Sequence, residues 1–208
     1  MSNDLIFYTN PMSRGRIVRW MLEETGAPYQ VEVIGYGPPM KSRDYLAINP
    51  MGKVPAIKHG ETIVTECAAI CAYLADAFPD AGLAPAPDDR GAYYRWLFFA
   101  AGPFEAAVIN QALGFEVPED KRVMAGYGSY AATIDALEKS LPRSGYITGS
   151  HFSAADVYVG SHIGWGLEFG TIEKRPMFED YAGRARDREA YRRAKALDDE
   201  AMPKEDAS

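Results

Sequence analysis

The chain has 208 residues, 47% of them hydrophobic and 25% charged, which is length enough for a sizeable core and the composition of an ordinary globular protein. Its formal net charge of -7 argues against a general nucleic-acid surface, which needs clustered cations. With 2 Cys, 3 His, no CxxC and no run of about 18 apolar residues, it predicts no metal cluster, no membrane span and a reducing, cytoplasmic setting.

The opening MSNDLIFYTN lacks the basic lead and long apolar core of a signal peptide and reads as the approach to a strand over 4–9. In YTNPMSRGRIVRW, residues 8–20, the strand passes into a helix on which Ile17, Val18, Met21 and Leu22 recur at helical spacing. Gly26 is placed to end that helix. Tyr8, Thr9, Asn10 and Ser13 are polar side chains at the helix mouth. YQVEVI, 29–34, alternates as a second strand, so the order β-α-β implies a parallel pair. A Gly/Pro-rich loop (35–40) follows. VPAIKHGETIV, 54–64, reads as two strands about a His59-Gly60 turn, and TECAAICAYLADAF, 65–78, as a helix stopped by Pro79. PDAGLAPAPDDR, 79–90, is the best linker candidate. Beyond it every element reads as helix: 92–113 with a bend near Gly102-Pro103, then 127–141, 153–169, and one or two helices over 176–200. Ser153 and Asp156 resemble a capping box with Asp in place of Glu.

Two stretches carry chemistry. In NPMGKVPAI, 49–57, Pro55 stands at the start of a strand, where it is either an ordinary trans residue at an edge or a cis residue turning the chain. The cis form would leave the Val54 N–H and C=O free to pair with an extended peptide. In TECAA, 65–69, a helix N-terminus offers free N–H groups to a carboxylate, and Glu66 could hold an ammonium beside it; equally, Thr65 and Glu66 could serve only as cap and dipole partner. Cys67 and Cys71, four apart, read as small buried hydrophobes.

Taken together, the β-α-β start, NPMGKVPAI, Glu66-Cys67 opening a helix, and an all-helical second half with GSHFSAAD resemble the cytosolic glutathione transferase family over nearly the whole chain. The resemblance implies an α/β thioredoxin-like N-terminal domain (βαβ-ββα, 1–78), a linker (79–90) and an all-α helical-bundle domain (91–208). It also implies glutathione as co-substrate without a metal, a small electrophilic second substrate, and a homodimer. Val54 would pair main chain to main chain with the cysteinyl part of glutathione, beside a cis Pro55. Lys53 would lie near the glycine carboxylate, Glu66 at the γ-glutamyl ammonium, and Cys67 at the γ-glutamyl carboxylate. The family usually places Ser at this last position. Cys67 keeps the backbone N–H and forgoes a charge-assisted bond worth about 1.5–3 kcal/mol.

The implied activity is attack of the glutathione thiolate on a partly apolar electrophile. Glutathione-dependent peroxide or disulfide reduction, or a non-catalytic binding module, are the alternatives. A thiol of pKa about 8.5 is only about 3% ionised at pH 7. Lowering it by about 2 units takes about 2.7 kcal/mol, which one hydrogen bond to the anion and a helix N-terminus together supply. A single hydroxyl is therefore enough. Ser13 is the first candidate, with Thr9, Asn10 and Tyr8 as alternatives; counting back from Gly26, the position used by serine-type members falls on Met12, one residue away. Met12, Tyr36, Phe99 and Phe104 are the candidate walls for the electrophile.

Overall fold

The computed structural model describes residues 4–203. They divide into two compact units, one within Met1–Leu83 and Arg188–Ser208, the other Ala84–Asp187.

The first unit is built on a mixed sheet of order β2-β1-β3-β4, formed by β1 (Leu5–Thr9), β2 (Gln30–Val33), β3 (Ala56–His59) and β4 (Thr62–Thr65). β1 runs parallel to β2 and antiparallel to β3, as a helical crossover followed by a hairpin requires. Along β1, Leu5, Phe7 and Thr9 are buried, and Ile6 and Tyr8 only partly so. The period of two sends the first set to one face of the sheet. On that face α1 (Gly15–Thr25) packs through Ile17, Val18, Met21 and Leu22, and the Arg19 guanidinium lies 5.4 Å from the Phe7 ring. α1 ends at Gly26, whose φ of 67° an L side chain rarely adopts. α3 (Cys67–Ala77) packs beside α1 and stops before Pro79. On the opposite face Tyr8 meets Tyr45, ring centroids 5.9 Å apart.

Tyr45 belongs to α2 (Arg43–Ile48), which sequence periodicity leaves inside a loop. Six residues are too few to show a period, and only the cap, Ser42 Oγ accepting the Tyr45 N–H at 3.2 Å, announces it.

The second unit is helical: α4 (Gly91–Phe99), α5 (Glu105–Ala112), α6 (Tyr130–Ser140), α7 (Ala154–Phe169) and α8 (Pro176–Arg186). The bend expected near Gly102-Pro103 is a widened turn over Ala100–Phe104, because Pro103 has no N–H to continue the ladder. α7 is apolar nearly all round and almost wholly buried, the central helix of this unit. The Ser153/Asp156 box is formed: Asp156 Oδ2 accepts the Ser153 N–H at 3.0 Å and its hydroxyl at 2.9 Å. Asp156 Oδ1 also accepts the Ile147 N–H at 2.8 Å and the Tyr181 hydroxyl at 2.7 Å.

The sequence places everything from 91 onward in one helical domain after a 79–90 linker. The observed division differs at both ends. The first unit continues to Leu83, and α9 (Glu189–Glu200) belongs to it, packed against α1. Charges explain the docking. Arg19 and Asp198, both buried, pair at 2.7 Å, and Arg188 grips Glu24 through two bonds at 2.6 and 2.7 Å. Burial pushes the Asp198 carboxyl above its ordinary value, against the pull of Arg19. Such pairs cannot be seen in a helix period, which shows that a face is buried and not against what.

Candidate active site

The sheet register collects the singled-out stretches. Ala56, the first residue of β3, is partnered by Tyr8 on one side and Thr65 on the other. The corner after β1 (residues 9–14), the Val54-Pro55 bond and the Glu66-Cys67 helix start therefore all lie at one end of one sheet. Cys67 Sγ is 3.6 Å from the Arg14 carbonyl, so the beginnings of α1 and α3 touch.

At the corner, each polar side chain has a distinct setting. Thr9 is fully buried, on the α1 side, and its hydroxyl has no protein partner among the described residues. α1 starts so close above it that a Cβ on Gly15 would fall 1.9 Å from Thr9 Oγ1. Asn10 is buried and committed: Nδ2 donates to the Ile34 carbonyl at 3.0 Å, and Oδ1 accepts the Met12 N–H at 3.0 Å. Ser13 is half-buried; its hydroxyl donates to the Asn10 carbonyl at 2.7 Å and accepts the Gly15 N–H at 2.9 Å. Tyr8 points to the α2 face, and burial, with Glu32 nearby, pushes its phenol above the usual 10.0.

The Val54-Pro55 bond is cis. No described hydrogen bond uses the main-chain N–H or C=O of Val54. The residues before it are held firmly. The Lys53 carbonyl accepts the Tyr45 hydroxyl at 2.7 Å and Asn49 Nδ2 at 2.8 Å, and Asn49 Oδ1 accepts the Met51 N–H at 3.0 Å. Lys41 Nζ donates to the Met51 and Gly52 carbonyls at 2.9 and 3.1 Å. Gly52 has φ 58°, and a Cβ there would fall 2.6 Å from the Met40 carbonyl oxygen. Tyr45, Lys41 and Asn49 were not singled out from the sequence; the Asn-Pro pair at 49–50 was the available turn signal. The Lys53 side chain is exposed.

Glu66 is the one described non-glycine residue with positive φ, 67°. A conformation of this kind costs about 1–3 kcal/mol and clusters at binding sites. It is exposed, at the N-cap of α3, while Cys67 is 8% exposed and Cys71 fully buried. Burial pushes the Cys71 thiol well above its ordinary value, with Cys67 adding to the effect, so Cys71 is an inert core residue.

Of the expected pocket walls, Met12 and Tyr36 are 52% and 51% exposed, and the Tyr36 hydroxyl donates to the Met12 carbonyl at 3.0 Å. In the helical unit Phe99 is half-buried against Trp96, and Phe104 is a core residue, 2% exposed and edge-on to His162.

A sequence profile described as the glutathione S-transferase N-terminal domain matches residues 12–77. The glutathione S-transferase hmp2 of Hypomyces subiculosus is 28% identical over 207 residues, 91% of this chain and 96% of its own. A sphingomonad glutathione S-transferase solved with glutathione aligns at 28% identity and TM-score 0.74, over 93% of this chain and 98% of that one. A glutathione transferase from Methylococcus capsulatus aligns at 26% identity and TM-score 0.76, over 94% and 98%. The profile falls on the thioredoxin-like unit, and the likeness to glutathione transferases extends along nearly the full chain.

Proposed function

We propose that the chain transfers glutathione: it binds the tripeptide at the sheet end described above and directs its thiolate onto an electrophilic, partly apolar small molecule. The observation that carries this reading is the register, which brings a free main-chain edge at Val54 to the same end as two helix N-termini. Val54 pairs with the cysteinyl backbone alongside Pro55. The start of α3, at Cys67, takes the γ-glutamyl carboxylate, Glu66 its ammonium, and Lys53 the glycine carboxylate. The sulfur then lies at the start of α1.

There Ser13 is the activator. Its hydroxyl already accepts the Gly15 N–H, which polarises the O–H bond. Its proton goes to a neutral carbonyl, a bond worth about 0.5–1.5 kcal/mol, and a thiolate offers about 1.5–3 kcal/mol instead. The hydroxyl therefore turns to the sulfur when the anion forms. Asn10 has no comparable slack, and Thr9 is sealed beneath α1. A phenol as reluctant to ionise as Tyr8 is a poor donor to a thiolate. Thr9→Val is accordingly expected to leave the bound thiol's pKa unmoved. By removing an unpartnered buried hydroxyl it should also raise the unfolding free energy by about 1 kcal/mol, read by urea denaturation.

Met12 and Tyr36 form the wall of the electrophile site on this unit. The proposal includes a homodimer in the cytoplasm and no nucleic-acid partner. The test is retention on immobilised glutathione, followed by ultraviolet titration of the bound thiol. The expected result is retention and a thiol pKa about 2 units below the free value near 8.5. No retention, with no thiolate band below about pH 8, would overturn the reading.

A further inference from the structure

Charged pairs join α9, or the residue just before it, to α1 along their length: Arg16 with Asp199 at 2.8 Å, Arg19 with Asp198 at 2.7 Å, Glu23 with Arg193 at 3.1 Å, and Glu24 with Arg188 at 2.6 Å. The signs are arranged for one register. The early turns of α1 carry arginines against the acidic end of α9, and its late turns carry glutamates against arginines.

The Arg16 pair continues into the corner. While Nη1 holds Asp199, Arg16 Nε donates to the Pro11 carbonyl at 2.5 Å. The Pro11 carbonyl and the Met12 N–H are the two ends of one planar peptide unit. The other end is held by Asn10 Oδ1, so that unit is gripped at both ends. The next carbonyl, Met12, accepts the Tyr36 hydroxyl, and the Ser13 N–H donates to the Asn10 carbonyl at 3.0 Å. The backbone that aims the Ser13 hydroxyl thus hangs on Arg16, and Arg16 on Asp199. The charged neighbours of this pair are Asp198 and Lys195 on α9. Lys195 and Arg16 hold the Asp199 carboxyl below its ordinary value.

We propose that Asp199, acting through Arg16, is a positioning residue for thiol activation: the last helix braces the 10–13 corner in the geometry that lets Ser13 reach the glutathione sulfur. The inference rests on the Ser13 reading and adds to it a residue far away in the chain.

The test uses the full chain and compares the pH profile of kcat/KM, with an activated aryl chloride as electrophile, in wild type, Asp199→Asn, Arg16→Lys and Arg193→Gln. Asp199→Asn is expected to move the acid limb up by about half a unit, roughly a threefold loss below the thiol pKa, with KM for glutathione changed less than about twofold. Arg16→Lys should match it, because an ammonium keeps the charge and loses the fork that reaches Pro11 and Asp199 together. Arg193→Gln breaks a pair between the same helices remote from the corner, and should leave the limb in place. If Asp199→Asn does not fold, Arg16→Lys carries the comparison. The proposal is overturned if the limb stays at the wild-type value, or moves equally in Arg193→Gln. A wild-type profile with no depressed thiol pKa would instead remove the Ser13 reading beneath it.

Discussion

Ser13→Ala is expected to raise the pKa of bound glutathione by about 1–2 units and to cut kcat/KM at about pH 6.5 by roughly 5–50-fold. The size follows from losing one hydrogen bond to a charged sulfur. The signature is the pH dependence: near pH 10 the thiol ionises unaided, and the variant should approach the wild-type rate. A loss of the same size at every pH would point to misplacement of the substrate. Alanine also deprives the Gly15 N–H of its acceptor, so a stability cost of about 1 kcal/mol should accompany the change. Ser13→Thr separates the two effects, since it keeps a hydroxyl and should keep the acid limb. An unmoved thiol pKa in the alanine variant would show that the activator lies elsewhere.

Asp156→Ala should lower the unfolding free energy by about 3–5 kcal/mol, measured by chemical denaturation. The carboxylate is fully buried, and the Ser153 N–H and hydroxyl, the Ile147 N–H and the Tyr181 hydroxyl all converge on it. Alanine leaves buried donors with nothing to accept them. Asn should cost nearly as much, because its amide turns a donor toward a site built of donors. The pH dependence has a definite sign. Burial pushes the Asp156 carboxyl above its ordinary 3.8, and the donors only partly pull it back. Just above pH 3.8 the folded protein therefore binds the proton more tightly than the unfolded chain. The stability contributed by this proton is full below that value and is lost as pH rises through the folded pKa. Asp156→Asn should abolish that slope.

Legibility in the sequence followed the length scale of each signal. The apolar, β-prone run in LIFYT, the helical period from Ile17 to Leu22, and the Gly26 and Pro79 stops are written into neighbouring residues, and their elements appear as expected. The Ser153/Asp156 box was equally local. α2 escaped because one and a half turns carry no period. Ser13 was singled out by its place at the helix mouth, but its bonds to Asn10 and Gly15 depend on backbone geometry that no composition reveals. The burial of Thr9 was within reach: it shares the strand parity of Leu5 and Phe7, so the side chains under α1 could have been told from Tyr8 by counting. The partner of α9 could not, since its charges match α1 only once both helices are placed side by side.

The membership of α9 in the first unit has a consequence for synthesis. A ribosome releases β1 through α3 early, then the whole of Ala84–Asp187, and only then the helix that supplies Asp198. Until that moment Arg19, buried in the finished protein, has no counter-ion from α9, and an unpaired buried charge costs several kcal/mol. The nascent first unit therefore waits in an unfinished state while the intervening helical unit closes on itself as an independent insert. Completion of the first unit therefore follows synthesis of the whole intervening unit.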